Sequence, residues 1–290
     1  MESLVQQVIA GIATGSIYGS IALAMVMVYK ATHHLNFAQG EMAMFSTYIA
    51  WTLVQAGVPY WAAFALTVLI SFAGGVAIER LLLRSVRNAP HLSVVIVFIG
   101  MLVILNSVAG WIWSYTLKSF PTPFTATAPF GQTVVSGHQL GSIGITLAIL
   151  VVLYLFFRYT SLGLAMRAAA YNPVSSNLVG IPVGWMLALG WGMGAALGAV
   201  AGMLIAPVVT LDPGMMSGVL LYGFAAALVG GIENPLGAMV GGILVGVLEN
   251  LVGTYVTGPE LKLTVALALI IGVLTVRPAG LLGRIIVTRV

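Results

Sequence analysis

Cysteine is absent from the 290-residue chain, which excludes disulfide frameworks, thiolate metal sites and a cysteine nucleophile at once. Charge is scarce: Asp, Glu, Lys and Arg make up 6% of the residues, and Asp212 is the single aspartate. Hydrophobic residues reach 60%, a composition that rules out a disordered chain and argues against a soluble globular domain. The catalytic patterns HExxH, GxSxG and GxxxxGK(S/T) are all missing, so any ATP hydrolysis the protein depends on belongs to another chain. The four histidines, His33, His34, His91 and His138, fall at segment ends, and the adjacent His33-His34 pair lacks the spacing of a helical metal site. No basic stretch precedes the first apolar run, which reads as a full-length span and not as a cleavable signal.

What is present is apolar sequence in blocks. A helix needs about 20 mostly apolar residues to cross a bilayer. Nine candidates emerge: Leu4–Val28, Met42–Ala56, Trp61–Leu83, Leu92–Trp113, Leu140–Phe157, Trp185–Ile205, Gly218–Val229, Ala238–Val256 and Leu263–Val276. The second, seventh and ninth are short, which predicts tilted, broken or re-entrant segments. The expected fold is therefore one all-α, polytopic transmembrane domain over residues 1–290 with about eight to nine spans. Glycine, at 35 residues, runs in stripes such as Gly190, Gly194, Gly198 and Gly202, a spacing that lets helices pack closely in lipid. A short internal echo also appears: Tyr18-Gly19 precedes a turn at Asn36 and Gly40, and Tyr222-Gly223 precedes one at Asn234 and Gly237.

Cations set the orientation. Alternating the nine spans puts Lys30, Arg80, Arg84, Arg87, Arg158, Arg167, Arg277, Arg284 and Arg289 on one side, and only Lys118 and Lys262 on the other. The richer side is cytoplasmic by the positive-inside rule, so the N-terminus is expected outside and the C-terminus inside. The segment Arg158–Gly184 then faces the cytoplasm. Its Ala168-Ala169-Ala170 run, Asn172-Pro173 step and Gly180-Ile181-Pro182 stop predict a short helix outside the bilayer, a handle for a partner or a helix resting on the membrane surface. On the outer side, Ser114–Gln139, with Pro121, Pro123, Pro129, Gly131 and Gly137, reads as an irregular docking surface or a plain connector.

Ionisable and amide groups inside a bilayer are expensive, which makes them functional candidates. The densest set is Asn36, Gln39 and Glu41 around Gly40, where the second span begins. These three either hydrogen-bond a polar solute or hold a broken helix in shape. Glu249, deep in the eighth span beside Asn250, either faces a pathway or pairs with another helix. Asp212-Pro213-Gly214 reads as an outer turn, Glu79-Arg80 as an interfacial pair, and Glu233-Asn234-Pro235 as the turn that starts the eighth span.

Taken in order, these residues resemble the permease subunits of branched-chain amino acid ABC importers, of the LivH type. Leu35-Asn36-Phe37-Ala38-Gln39-Gly40-Glu41 is similar to that family's NFA-x-GE signature, and Glu79-Arg80 with Arg84-Ser85-Val86-Arg87 to its ER…RxVR segment. Gly163–Ala168 through Gly180-Ile181 resembles its coupling segment. Ala199–Gly202 and Gly230-Gly231 through Gly237-Ala238 resemble its glycine-rich spans, and Arg277–Arg284 its C-terminal tail. Tyr171-Asn172 stands where relatives often carry acidic residues, and Gln39 where a histidine is common.

The resemblance implies an inner-membrane permease without a cofactor of its own. A periplasmic solute-binding protein would supply it, a LivM-type sister permease would pair with it, and two cytoplasmic ATPases would bind the ATP. It implies that Arg167, Ala168, Asn172 and Gly180 shape the coupling helix, and that Asn36, Gln39, Glu41 and Glu249 support or line the pathway. The expected solute is a branched-chain or other hydrophobic amino acid; urea, short amides or aromatic acids are the alternatives within the family. An ion-coupled secondary transporter using Glu41 and Glu249 is the alternative of a different class, and an intramembrane enzyme finds no supporting motif.

Overall fold

The computed structural model describes residues 2–86, 89–124, 136–258 and 261–283. Arg87, Arg284 and Arg289 of the charge pattern, and Pro129 and Gly131 of the outer loop, lie outside these. Among the described residues the chain is helical, with one isolated antiparallel bridge between Lys118 and Leu211 and no strand. The helices are α1 (Glu2–Thr32), α2 (Gln39–Gln55), α3 (Tyr60–Ile78), the three-residue α4 (Arg84–Val86), α5 (His91–Trp113) and α6 (Gly137–Tyr159). They continue with α7 (Ser161–Tyr171), α8 (Pro173–Leu178), α9 (Val183–Val209), α10 (Met216–Gly230), α11 (Pro235–Val252) and α12 (Lys262–Val276).

Six of these stretches are long and apolar enough to cross a membrane: Leu4–Thr32, Tyr60–Val86, His91–Trp113, Gly137–Tyr159, Val183–Val209 and Pro235–Val256. The other three expected spans fall on α2, α10 and α12, of 17, 15 and 15 residues. At 1.5 Å per residue these helices are about 22–26 Å long, against a hydrocarbon core of about 30 Å. The sequence expectation of short segments at these places holds. Proline marks where helices start. Pro59, Pro90 and Pro182 precede α3, α5 and α9, and Pro173 and Pro235 open α8 and α11, where a missing N–H costs nothing.

The chain divides into two compact units, residues 1–26, 124–146 and 218–290 in one and residues 27–123 and 147–217 in the other. In the first, α1 and α11 touch backbone to backbone. A Cβ on Gly15 would lie 2.6 Å from the Gly242 carbonyl oxygen, and one on Gly246 would lie 2.4 Å from Gly15 Cα. Lipid tails are as apolar as leucine, so such contact is held by dispersion and by the absence of side chains that would prevent it. Asn234 starts α11 by accepting from Leu236 N–H at 3.1 Å and donates to the Leu282 carbonyl at 3.0 Å.

In the second unit, α9 is the central helix, packed against α2 and α3. Its Trp191 is fully buried among Ala38, Met42, Leu83, Val94, Phe98 and Met101. Between α3 and α4 the helix takes one π-turn, Glu79–Leu83. The wider turn re-aims the side chains that follow it. Arg80 stacks over Trp185 at 3.8 Å and meets Glu79 at 3.9 Å, the pairing expected of these neighbours, while Glu79 itself is buried.

Candidate functional site

The signature turn is built from its own polar groups. Asn36 accepts from Ala38 N–H at 3.0 Å, a turn that mimics backbone and brings Gln39 round to begin α2. Its amide donates to Gln39 Oε1 at 3.2 Å, and Gln39 Nε2 donates in turn to the Gly194 carbonyl of α9 at 3.0 Å. Both side chains are fully buried, so these bonds supply the partners that burial demands. Asn234 forms the same two-residue turn before α11, at 3.1 Å. The internal echo thus has matching local geometry at both copies.

Glu41 sits two residues further on, still in the first turn of α2, and is nearly buried. It accepts from Asn106 Nδ2 at 3.3 Å, and the same amide donates to the Pro213 carbonyl at 2.7 Å. Asn106 therefore ties the signature carboxylate to the Leu211-Asp212-Pro213-Gly214 turn, which is itself pinned by the Leu211–Lys118 bridge and by Asp212 accepting from Gly214 N–H. Sequence reading missed Asn106. The signal was available: it is an amide in the middle of the apolar run Leu102–Ala109.

Glu249 belongs to the other unit. It is nearly buried on α11, and Lys262, at the start of α12, holds its Nζ 4.0 Å from Glu249 Oε1. Tyr18 and Tyr222 stack at 4.7 Å with their rings 9° apart, and both phenols interact with this carboxylate. Asn250 donates to Gln7 Oε1 and to the Gln7 carbonyl, both at 2.8 Å. The two tyrosines of the echo are therefore in contact, a pairing 204 residues apart in the chain (222 − 18).

The segment between α6 and α9 departs from expectation in one respect. It holds two helices, not one, because Pro173 forces Asn172 into an extended conformation (φ −145°, ψ 93°). Thr160 caps α7 by accepting from Gly163 N–H, and Asn172 caps α8 by accepting from Ser175 N–H, each at 3.0 Å. Gly180 (φ +86°) closes α8: its N–H reaches the Asn177 carbonyl and Ile181 N–H the Ser176 carbonyl, the double bond of a left-handed glycine cap. Gly163, Met166 and Ala169 face inward. Arg167, Asn172 and Gly180 are exposed, and Ala168 is half-buried. With them Tyr171, Val174, Leu178 and Val179 stand out of the protein, Tyr171 at 93% exposure. These large apolar side chains were not anticipated, since apolar residues are everywhere in this sequence.

Over residues 7–274 the chain matches the family described as branched-chain amino acid transport system / permease component. It is 36% identical to the high-affinity branched-chain amino acid transport system permease protein BraD of Pseudomonas aeruginosa, over 96% of this chain and 95% of the relative. It is 35% identical to the permease protein LivH of Escherichia coli K12, again over 96% and 95%. To the probable LivH of Methanocaldococcus jannaschii it is 29% identical, over 91% and 87%.

Proposed function

The chain belongs to the family of branched-chain amino acid transport system permease components, and from that premise we propose that it forms one half of the channel of an ABC importer for branched-chain or other hydrophobic amino acids. The observation that carries the reading is similarity along nearly the whole length to permeases of this transport, in an integral membrane protein whose signature turn is intact. A LivM-type sister permease completes the channel, and a periplasmic binding protein delivers the solute to the face that carries the Lys118–Leu211 bridge. Two cytoplasmic ATPases bind and hydrolyse ATP, and their motion enters through α7 and α8.

The shape of α7 and α8 supports that last role. Both helices are capped at their starts, which satisfies backbone N–H groups that their first turns would otherwise leave unpaired. Their exposed surface joins Tyr171, Val174 and Leu178 to the cation Arg167, an apolar centre with a charged neighbour of the sort that docks on protein. Arg167, Ala168, Asn172 and Gly180 set the form of this handle. Asn36 and Gln39 keep the start of α2 in register with α9, while Glu41 and Glu249 are the carboxylates along the pathway. The positive-inside bias puts the N-terminus in the periplasm and the C-terminus in the cytoplasm.

A pull-down in mild detergent, with the chain tagged at its native locus, tests the assembly. Recovery of two ATPases and a second permease is expected, and leucine uptake should vanish when the locus is deleted. A folded chain recovered alone, with ion-driven uptake and no need of ATP, would overturn the reading.

A further inference from the structure

The apolar span Tyr60–Val86 begins with aromatic residues and ends with cations. Arg80 lies twenty residues after Tyr60 (80 − 60), about 30 Å at 1.5 Å per residue, which is the thickness of a hydrocarbon core. Trp185, on whose ring Arg80 rests, is the third residue of α9, another helix long enough to cross the membrane. Two spans of the second unit therefore reach one boundary side by side. Tryptophan suits that level, with an apolar ring and a polar N–H, and this one keeps 54% exposure.

The cations at this boundary lack acceptors. The Arg80 guanidinium lies over the Trp185 ring at 3.8 Å, and the Glu79 carboxylate, 3.9 Å from Nε, is too far for a hydrogen bond. Nε and Nη2 are enclosed without a hydrogen-bond partner, although a guanidinium offers five donors. Nη1, likewise unbonded, is the nitrogen left open, on a side chain that keeps 23% exposure. Arg84 follows one helical turn later on the same face; it is exposed and makes no ion pair among the described residues. Between them, Leu81 and Leu82 stand out of the protein at 75% and 47% exposure.

A partner that fits has anionic oxygens at the level of the two arginines and hydrocarbon beside the leucines. Guanidinium groups match phosphate oxygens two at a time, and basic places between spans suit acidic headgroups. We infer that Arg80, Arg84 and Trp185 form a site for the phosphate of an anionic phospholipid, where α3 runs out beside the start of α9. The lipid supplies the acceptor that the protein withholds from Nη1, neutralises Arg84 and bridges the two spans. This inference is independent of which solute is carried.

The test uses the full chain, purified in detergent, stripped of lipid and given equal amounts of phosphatidylglycerol and phosphatidylcholine. Retained lipid is counted by native mass spectrometry. Phosphatidylglycerol should be retained in preference to phosphatidylcholine, and it should raise the melting temperature. Arg84→Glu changes an exposed side chain, so it should melt as the wild type does in phosphatidylcholine alone, yet lose about tenfold in phosphatidylglycerol retention and lose the thermal gain. Arg158→Glu, at another exposed cation at the end of α6, should behave as the wild type. Undiminished retention by Arg84→Glu would overturn the site. An equal loss in Arg158→Glu would do so as well, since net charge alone would then hold the lipid. So would displacement by millimolar inorganic phosphate, which would make the ligand a free anion.

Discussion

Asn172 does two things with one side chain: its oxygen caps α8, and its extended backbone makes the corner between α7 and α8. Removing an N-cap oxygen costs about 0.5–2 kcal/mol, enough to fray a six-residue helix. Asn172→Arg removes the cap and adds a second cation beside Arg167, so it should cut leucine uptake severely while assembly, read by pull-down, stays intact. Normal uptake in that variant would count against α8 as the ATPase contact. Gln39 makes a different demand. Gln39→Leu removes a second hydrogen bond from the Gly194 carbonyl of α9 and leaves the buried Asn36 amide only the weak Met42 sulfur as acceptor. An under-satisfied buried amide costs up to about 1–3 kcal/mol, so a lower melting temperature in detergent is expected. The candidate residues were legible as residue types, because an amide or a carboxylate within an apolar run is visible by eye. Whether each bonds to its own chain was not, since the partner of Gln39 lies 155 residues away.

Helices in this protein come together where side chains are missing. Gly246→Leu would force a side chain into Gly15 at 2.4 Å, and backbone atoms there have no rotamer by which to move aside. The first unit should lose its α1–α11 contact, with little folded chain recovered from membranes. Gly74→Ala on α3 is the control, because nothing lies within 4 Å of its added Cβ, and it should melt as the wild type does. Equal losses in both variants would show that helix content, not packing, was disturbed. The stripes themselves were apparent in the sequence. Their partners were not: spacing of three or four shows which face of a helix is bare, and says nothing of which helix comes to meet it.

At the scale of the whole molecule, orientation is the property that the other roles depend on. The absence of cysteine makes it directly measurable. Ser175→Cys on α8 and Thr116→Cys beside Lys118 both place a thiol at an exposed position. A membrane-impermeant maleimide applied to intact spheroplasts should label Thr116→Cys and spare Ser175→Cys until the membrane is broken. The reverse pattern would place α7 and α8 outside and remove them from the reach of any cytoplasmic ATPase.

Hydropathy and cation placement are local and additive, and they were sufficient to find the nine segments in order and to foresee three short ones among them. In lipid each helix satisfies its own backbone, so its existence depends on its own residues alone. The capped loop between α6 and α9 was legible for the same reason, except that the cost of an α conformation before Pro173 splits it in two. Contacts between distant segments needed the tertiary structure. The stacking of Tyr18 on Tyr222, the amide of Asn106 shared by Glu41 and Pro213, and the contact of Arg80 with the Trp185 ring join residues far apart in the chain. Such pairings are chosen by shape and by hydrogen bonds between helices, quantities that no single helix carries in its own sequence.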